Sequence, residues 1–317
     1  MNLKGFRVSM ITSSIKLKNI IPFNGLLLLL LFVATNGWAN IEFFKGDRIS
    51  IVGNSLGERM QHDGWLETLL QREFPKHQLE IRNLSFPGDS VSSRPRSEGS
   101  SSLEDYLDLC SSDVIFMMFG YNESFAGKAG IGAFKNDLAN LVESLQRQQP
   151  NGSSMPRLVL FSPIAHEDLE LQEEDDSKRL NEQLSLDGDA IREVALSKDC
   201  YFIDLFEPTV SFYEEEEASL SLNGVHLNST GNQRVAEYIV SELTRMPVTV
   251  SVDMEPIRES VLDKNLHCFN RYRAADGNNI WGERSLMEYT DGQTNADVLN
   301  RELIMFDVLT QNRERQI

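Results

Sequence analysis

Cysteine, basic charge and long apolar runs are all scarce in this 317-residue chain, and each scarcity removes a class of protein. Three cysteines, Cys110, Cys200 and Cys268, are odd in number and widely spaced, which rules out a disulfide scaffold. None stands in a Cys-x-x-Cys pair or beside a histidine, so they read as small buried apolar side chains rather than metal ligands. Lys and Arg number 30 against 48 Asp and Glu, for a formal charge of -18, and no basic stripe is present to neutralise phosphates. That argues against a nucleic-acid partner. Gly-x-Gly-x-x-Gly and Walker-type loops are both missing, so a nucleotide cofactor has no support. His62, His77, His166 and His267 lack mutual metal-ligand spacing, and neither a cofactor nor a metal is expected.

What is present is the composition of a globular protein, 41% hydrophobic and 25% charged. The first forty residues differ from the rest. Lys4, Arg7, Lys16 and Lys18 occur there without an acid, an apolar run from Gly25 to Thr35 follows, and then Gly37, Trp38 and Ala39. This is the order of a secretory signal over residues 1–39, cleaved after Ala39 between small residues. The run is shorter than the roughly twenty residues that span a bilayer, with an uncleaved anchor as the alternative. No spanning stretch follows, so the mature chain is expected to be secreted or periplasmic, without a membrane span.

Short β-rich runs, Arg48 to Val52, Leu79 to Leu84, Asp113 to Phe119, Arg157 to Phe161 and Cys200 to Leu205, alternate with segments of helical period. Trp65, Leu66, Leu69, Leu70 and Phe74 form one such segment, Phe134, Leu138, Leu141, Val142 and Leu145 a second, and Val235, Ile239 and Leu243 a third, capped near Asn228 to Thr230. The alternation predicts an α/β domain over residues 40–246: a three-layer α/β/α sandwich on a flavodoxin-like, five-stranded parallel sheet. Two acidic stretches, Glu167 to Asp176 and Glu214 to Glu217, read as solvated loops or helix ends. Residues 247–317 form a C-terminal helical extension. One helix is expected from about Ile257 to Tyr272, a polar loop from Ala274 to Asn295, and a last helix through Val298, Leu299, Leu303, Phe306 and Leu309. Two helices cannot bury a core of their own, so they pack on the sandwich or on a partner domain.

Four segments fall where such a sheet presents its strand C-terminal ends, the edge at which open α/β sheets bind ligands. In Gly53-Asn54-Ser55-Leu56-Gly57 a serine meets a helix N-terminus, although a plain turn and cap reads the same way. In Ser85-Phe86-Pro87-Gly88-Asp89, Gly88 could offer a bare backbone N–H to a substrate oxygen. In Gly120-Tyr121-Asn122-Glu123, Asn122 could offer its amide to that oxygen. Leu222-Asn223-Gly224-Val225-His226 places a histidine before the last helix of the sandwich. His166, after the fourth strand, falls at the same edge, either lining a pocket or sitting in an ordinary loop.

In order and spacing these four segments resemble the consensus blocks of the SGNH hydrolase superfamily, the GDSL-like lipases and esterases, over about residues 46 to 245. The resemblance implies a serine hydrolase that cleaves carboxylic esters, such as an acyl or acetyl ester on a carbohydrate. Ser55 would be the nucleophile and His226 the base. The Ser55 N–H, Gly88 N–H and Asn122 amide would form the oxyanion hole.

The chain departs from the family pattern at three positions. Asn54 replaces the Asp of the first block, and Glu123 follows Asn122 where Asp is common. Asn223 occupies the triad acid position three residues before His226. An amide oxygen can accept the histidine Nδ1–H, but it cannot stabilise imidazolium by charge. In a serine protease the same exchange costs about ten-thousandfold in turnover. Three readings follow: a Ser–His dyad oriented by Asn223, a replacement carboxylate such as Asp89 or Glu123, or a catalytically weakened pocket kept as a binding or scaffolding module. The tail, with Asp263-Lys264-Asn265, Phe269-Asn270-Arg271-Tyr272-Arg273 and Asp291-Gly292-Gln293-Thr294-Asn295, is similar to that of secreted, often multidomain SGNH-like bacterial proteins, some of them fused to propeller and cytochrome c modules. No Cys-x-x-Cys-His haem attachment occurs here, so the tail is expected at most to dock a partner domain.

Overall fold

The computed structural model describes residues 41–95, 101–169, 174–274 and 276–317. The signal expected over 1–39 lies outside these residues. Five parallel strands, β1 (Arg48–Gly53), β2 (Glu80–Asn83), β3 (Val114–Met118), β4 (Arg157–Phe161) and β5 (Tyr201–Ile203), form one sheet in the order β2-β1-β3-β4-β5. This is the flavodoxin-like order, with its switch point between β1 and β3. β1, β3 and β4 are buried almost throughout, because helices cover both faces of the sheet.

Ile49, Ile51, Phe116, Met118, Val159 and Phe161 join one core with helices α1 (Ser55–Asp63), α2 (Trp65–Glu73) and α7 (Ser229–Thr244). Alternate residues Ile115, Met117, Leu158 and Leu160 are equally buried and face the opposite way, by the two-residue period of a strand. On that side lie α3 (Leu103–Cys110), α4 (Gly127–Arg147) and α5 (Glu174–Ser197); α6 (Phe206–Glu215) follows β5. Asn228 caps α7 by accepting from the Gly231 N–H at 3.0 Å, as the sequence predicts. The three cysteines are free and buried.

One residue of the two acidic stretches departs from the expectation, and residues 170–173 lie outside the described residues. Glu214 to Glu217 is an exposed helix end, but Glu167 is only 5% exposed and its carboxylate receives two backbone N–H groups. A buried carboxylate with directed donors is stable where a cluster of like charges in water needs none.

The C-terminal segment packs on the sandwich. It comprises α8 (Glu255–Tyr272), a short α9 (Gly277–Ile280), a small hairpin of β6 (Glu288–Thr290) and β7 (Gln293–Thr294), and α10 (Asn295–Glu314). The stretch read as a polar loop therefore contains a helical turn and a hairpin, both too short to leave a periodic signal. Lys264 of α8 is fully buried and donates to Glu67 Oε2 at 2.7 Å and to the Ile81 carbonyl at 3.0 Å. Asn265 donates to the Gln61 carbonyl at 3.0 Å, and Arg258 lies over the Trp65 ring. α10 is tied to α8 by Arg271–Asp307 at 2.9 Å and to the sheet by the half-buried pair Arg82–Glu314. Among the described residues no helix is long and apolar enough to cross a membrane.

Candidate active site

Strand β1 ends at Gly53, where a Cβ would lie 2.2 Å from the Met118 carbonyl oxygen, so only glycine lets β1 close against β3 there. The next residue, Asn54, caps α1 by accepting from the Leu56 N–H at 3.3 Å. Ser55 is thus the first residue of α1, at the end where backbone N–H groups and the helix dipole favour negative charge. Gly57 brings the loop after β2 against α1: a Cβ there would meet Ser85 Oγ at 2.5 Å, and Asn83 donates to the Gly57 carbonyl at 2.6 Å.

The loops after β2 and β3 are joined to each other. Asn122 donates one amide N–H to the Asp89 carbonyl at 2.6 Å, which leaves its second N–H for another acceptor. Glu123 accepts from the Val91 N–H at 2.7 Å and the Gly120 N–H at 2.9 Å. Burial raises the Glu123 pKa, and those two backbone donors oppose the rise. Between the loops sits Gly88 at φ +89°, a left-handed conformation that glycine adopts without strain.

The turn that carries His226 hangs from the loop after β4. Glu167 accepts from the N–H groups of Leu220 at 2.8 Å and Ser221 at 2.7 Å, and its own N–H donates to the Gly224 carbonyl at 2.9 Å. Gly224, at φ +82°, presses against His166: a Cβ would lie 2.4 Å from the ring Cε1. His166 is itself paired through Nδ1 with the Tyr121 hydroxyl at 3.1 Å. It therefore neither lines the cavity nor sits in an ordinary loop; it supports the turn from behind.

Asn223 Oδ1 accepts from three N–H groups: His226 N at 3.0 Å, Val225 N at 3.3 Å and His226 Nδ1 at 3.1 Å. Two of these are main-chain donors, so the amide must present its oxygen, and the imidazole must carry its proton on Nδ1. Nε2 is left with a lone pair, the form a general base needs. Burial lowers the His226 pKa, the nearby Arg59 charge lowers it further, and Glu58 opposes both.

Ser55, Gly88, Asn122 and His226, brought from four separate loops, line one cavity of about 310 Å³. No direct hydrogen bond joins Ser55 and His226 among the described residues; such contacts commonly tighten only around a substrate. Asn223 lies outside the lining, behind the imidazole. Asp89 and Glu123 also lie outside it, and His226 Nδ1 is already bonded to Asn223, which leaves no place there for a replacement acid. The rest of the wall is largely apolar, with Met118, Phe119, Phe125 and Ile164, and contains one cation, Arg59, that sequence reasoning missed. Its position four residues after Ser55 on a helix was the available signal. Among the described residues no group of acidic, histidine or cysteine side chains is arranged to hold a metal.

Residues 46–234 match the GDSL-like lipase/acylhydrolase family. No curated protein sequence matches the chain. Solved structures with the same fold include a Parabacteroides merdae protein described as a GDSL-like lipase, at 17% identity and TM-score 0.53, covering 65% of this chain and 99% of its own. The acetylxylan esterase of Geobacillus stearothermophilus superposes at 15% identity and TM-score 0.52, over 67% of this chain and all of its own. A hydrolase from the metagenome of Lake Arreo, Spain, does so at 18% identity and TM-score 0.50, over 64% and 97%.

Proposed function

The chain belongs to the GDSL-like lipase/acylhydrolase family of the SGNH hydrolase superfamily, whose members hydrolyse esters, and from that premise we propose that it acts through an acyl-enzyme on Ser55. His226 Nε2 takes the Ser55 proton as the hydroxyl oxygen attacks the ester carbonyl. The resulting oxyanion is held by the Ser55 and Gly88 N–H groups and by the free N–H of Asn122. Collapse expels the alcohol, which recovers the proton from His226. A water then attacks the acyl-enzyme with the same base, releasing the acid and restoring Ser55. Asn223 positions the imidazole throughout.

The observation that supports this reading is the convergence of the four residues on one cavity. Its size, near the lower end of small-molecule sites, suits a short acyl ester better than a long chain. The substrate we favour is an acetyl or similar group on a carbohydrate met outside the cytoplasm, consistent with the expected signal over residues 1–39. The fold-level likeness to an acetylxylan esterase is in keeping with that choice.

Labelling with a fluorophosphonate probe, alongside hydrolysis of short-chain and sugar acetates, tests the reading. Wild-type protein should be labelled and active, and Ser55→Ala should be neither. Absence of labelling, with hydrolysis no greater than that of Ser55→Ala, overturns it.

A further inference from the structure

Arg59 differs from several well-packed arginines of this protein. Arg82 is paired with Glu314, Arg157 with Asp47, Arg258 with Glu255 and Arg271 with Asp307. Among the described residues no carboxylate pairs with Arg59, and its Nε is buried without an acceptor. The adjacent acid is already engaged, since Glu58 binds His62 Nε2 at 2.9 Å and the Gln61 amide at 3.4 Å.

Its position is as informative as its lack of a partner. Ser55 and Arg59 are four residues apart on α1, which puts them on one face with Cβ atoms roughly 5–6 Å apart, and both line the cavity. The guanidinium therefore stands one helical turn from the hydroxyl, among apolar side chains. Unfilled, this arrangement is unfavourable twice over. A partly desolvated cation has an N–H with nothing to bond, and its field opposes the imidazolium that forms when His226 accepts a proton. An oxyanion on the substrate would remove both penalties at once, because a carboxylate can take the guanidinium edge-on and neutralise it.

We propose that Arg59 is a substrate-binding residue that recognises a carboxylate lying a few bonds from the scissile ester, so that the enzyme prefers anionic esters to neutral ones. The proposal rests on the ester-hydrolysing site around Ser55 and names its substrate class. The carboxylate can belong to the acyl part or to the alcohol part. Two matched pairs of substrates separate the cases: mono-4-nitrophenyl succinate against 4-nitrophenyl butyrate, and 3-carboxyphenyl acetate against phenyl acetate.

In at least one pair the charged ester should have the higher kcat/KM by about tenfold, with part of the gain in kcat because the neutralised cation no longer opposes imidazolium formation. Arg59→Gln should bring that ratio close to one. Arg59→Lys, which keeps the charge and loses the planar fork, should fall between. Ratios near one in the wild type, or a preference that survives Arg59→Gln, overturn the proposal.

Binding to the Ser55→Ala protein gives a reading independent of turnover. By calorimetry 3-acetamidobenzoate against acetanilide, and succinanilate against butyranilide, should show about tenfold tighter binding of the anion in at least one pair, and Arg59→Gln should abolish the difference. Equal affinities in both pairs overturn the proposal. A calorimetric preference without turnover of any ester would sustain the anion site and remove the esterase mechanism. Turnover without preference would do the reverse.

Discussion

The guanidinium of Arg273, at the C-terminal end of α8, lies 3.8 Å from the centre of the Phe86 ring, and one of its N–H groups is bonded to the Ser85 carbonyl. Ser85 and Phe86 begin the loop that carries Gly88. The C-terminal helices thus reach the candidate oxyanion hole through one stacked, hydrogen-bonded side chain, while their other contacts include α1, α2, α3 and β2.

Removing that side chain should loosen the Gly88 loop. Arg273→Ala is expected to lower kcat by about tenfold with a smaller change in KM, since a displaced donor is felt most in the transition state. Stability should fall by about 2 kcal/mol, from the lost ring contact and hydrogen bond together. Arg273→Lys should recover little, because an ammonium cannot stack and reach Ser85 as a planar group does. Steady-state kinetics with urea unfolding decides it: a destabilised variant with unchanged kcat would show that the contact is merely structural.

Glu167 should tolerate no substitution, including the isosteric one. Its two oxygens each accept a backbone N–H, so Glu167→Gln would turn an NH₂ toward a donor. Both Glu167→Gln and Glu167→Ala are expected to lose about 2–3 kcal/mol of stability and to show lower kcat from a misplaced His226 turn. A Gln variant with wild-type melting and turnover would contradict this account of the turn.

Asn223→Asp should leave the three N–H contacts in place and add a charge behind the imidazole. The expected result is a rise in kcat/KM of about tenfold or more at neutral pH, because imidazolium is then stabilised in the transition state. The acidic limb of the pH profile should move to higher pH. A fall in rate would mean that a neutral acceptor is required at this position.

The pH profile of the native enzyme follows from the lowered His226 pKa. A base whose pKa is depressed stays unprotonated further into the acid range, so kcat/KM should hold below the usual imidazole value and drop as pH falls through the lowered one. Arg59 contributes to the lowering and Glu58 opposes it, so Arg59→Gln should shift the limb toward higher pH. A limb that stays in place in Arg59→Gln would mean that burial alone sets the value.

The two levels of description divide unevenly. Strands β1 to β5 were legible as β-rich runs, α2, α4 and α7 as helical periods, and the α7 cap as Asn228, because these signals are local and repeat along the chain. α3, α5 and α6 give no such signal: they are short or mostly polar, and α5 starts within an acidic stretch whose charge reads as solvated. Ser55, Gly88, Asn122, Asn223 and His226 were legible only as a spaced set of blocks. None of their segments is distinctive alone.

Sequence by itself determined the five strands of the sheet, the helices of clear period and the β-α alternation that orders them, since periodicity and capping act over a few neighbouring residues. It also offered Asn223, three residues away within one turn, as a partner for the His226 ring. Only the tertiary structure decided that Glu167 holds that turn, that Asp89 and Glu123 stay out of the cavity, and that Arg59 enters it without a partner. Those outcomes depend on distances between segments far apart in the chain, and such distances are set by how the sheet and helices pack.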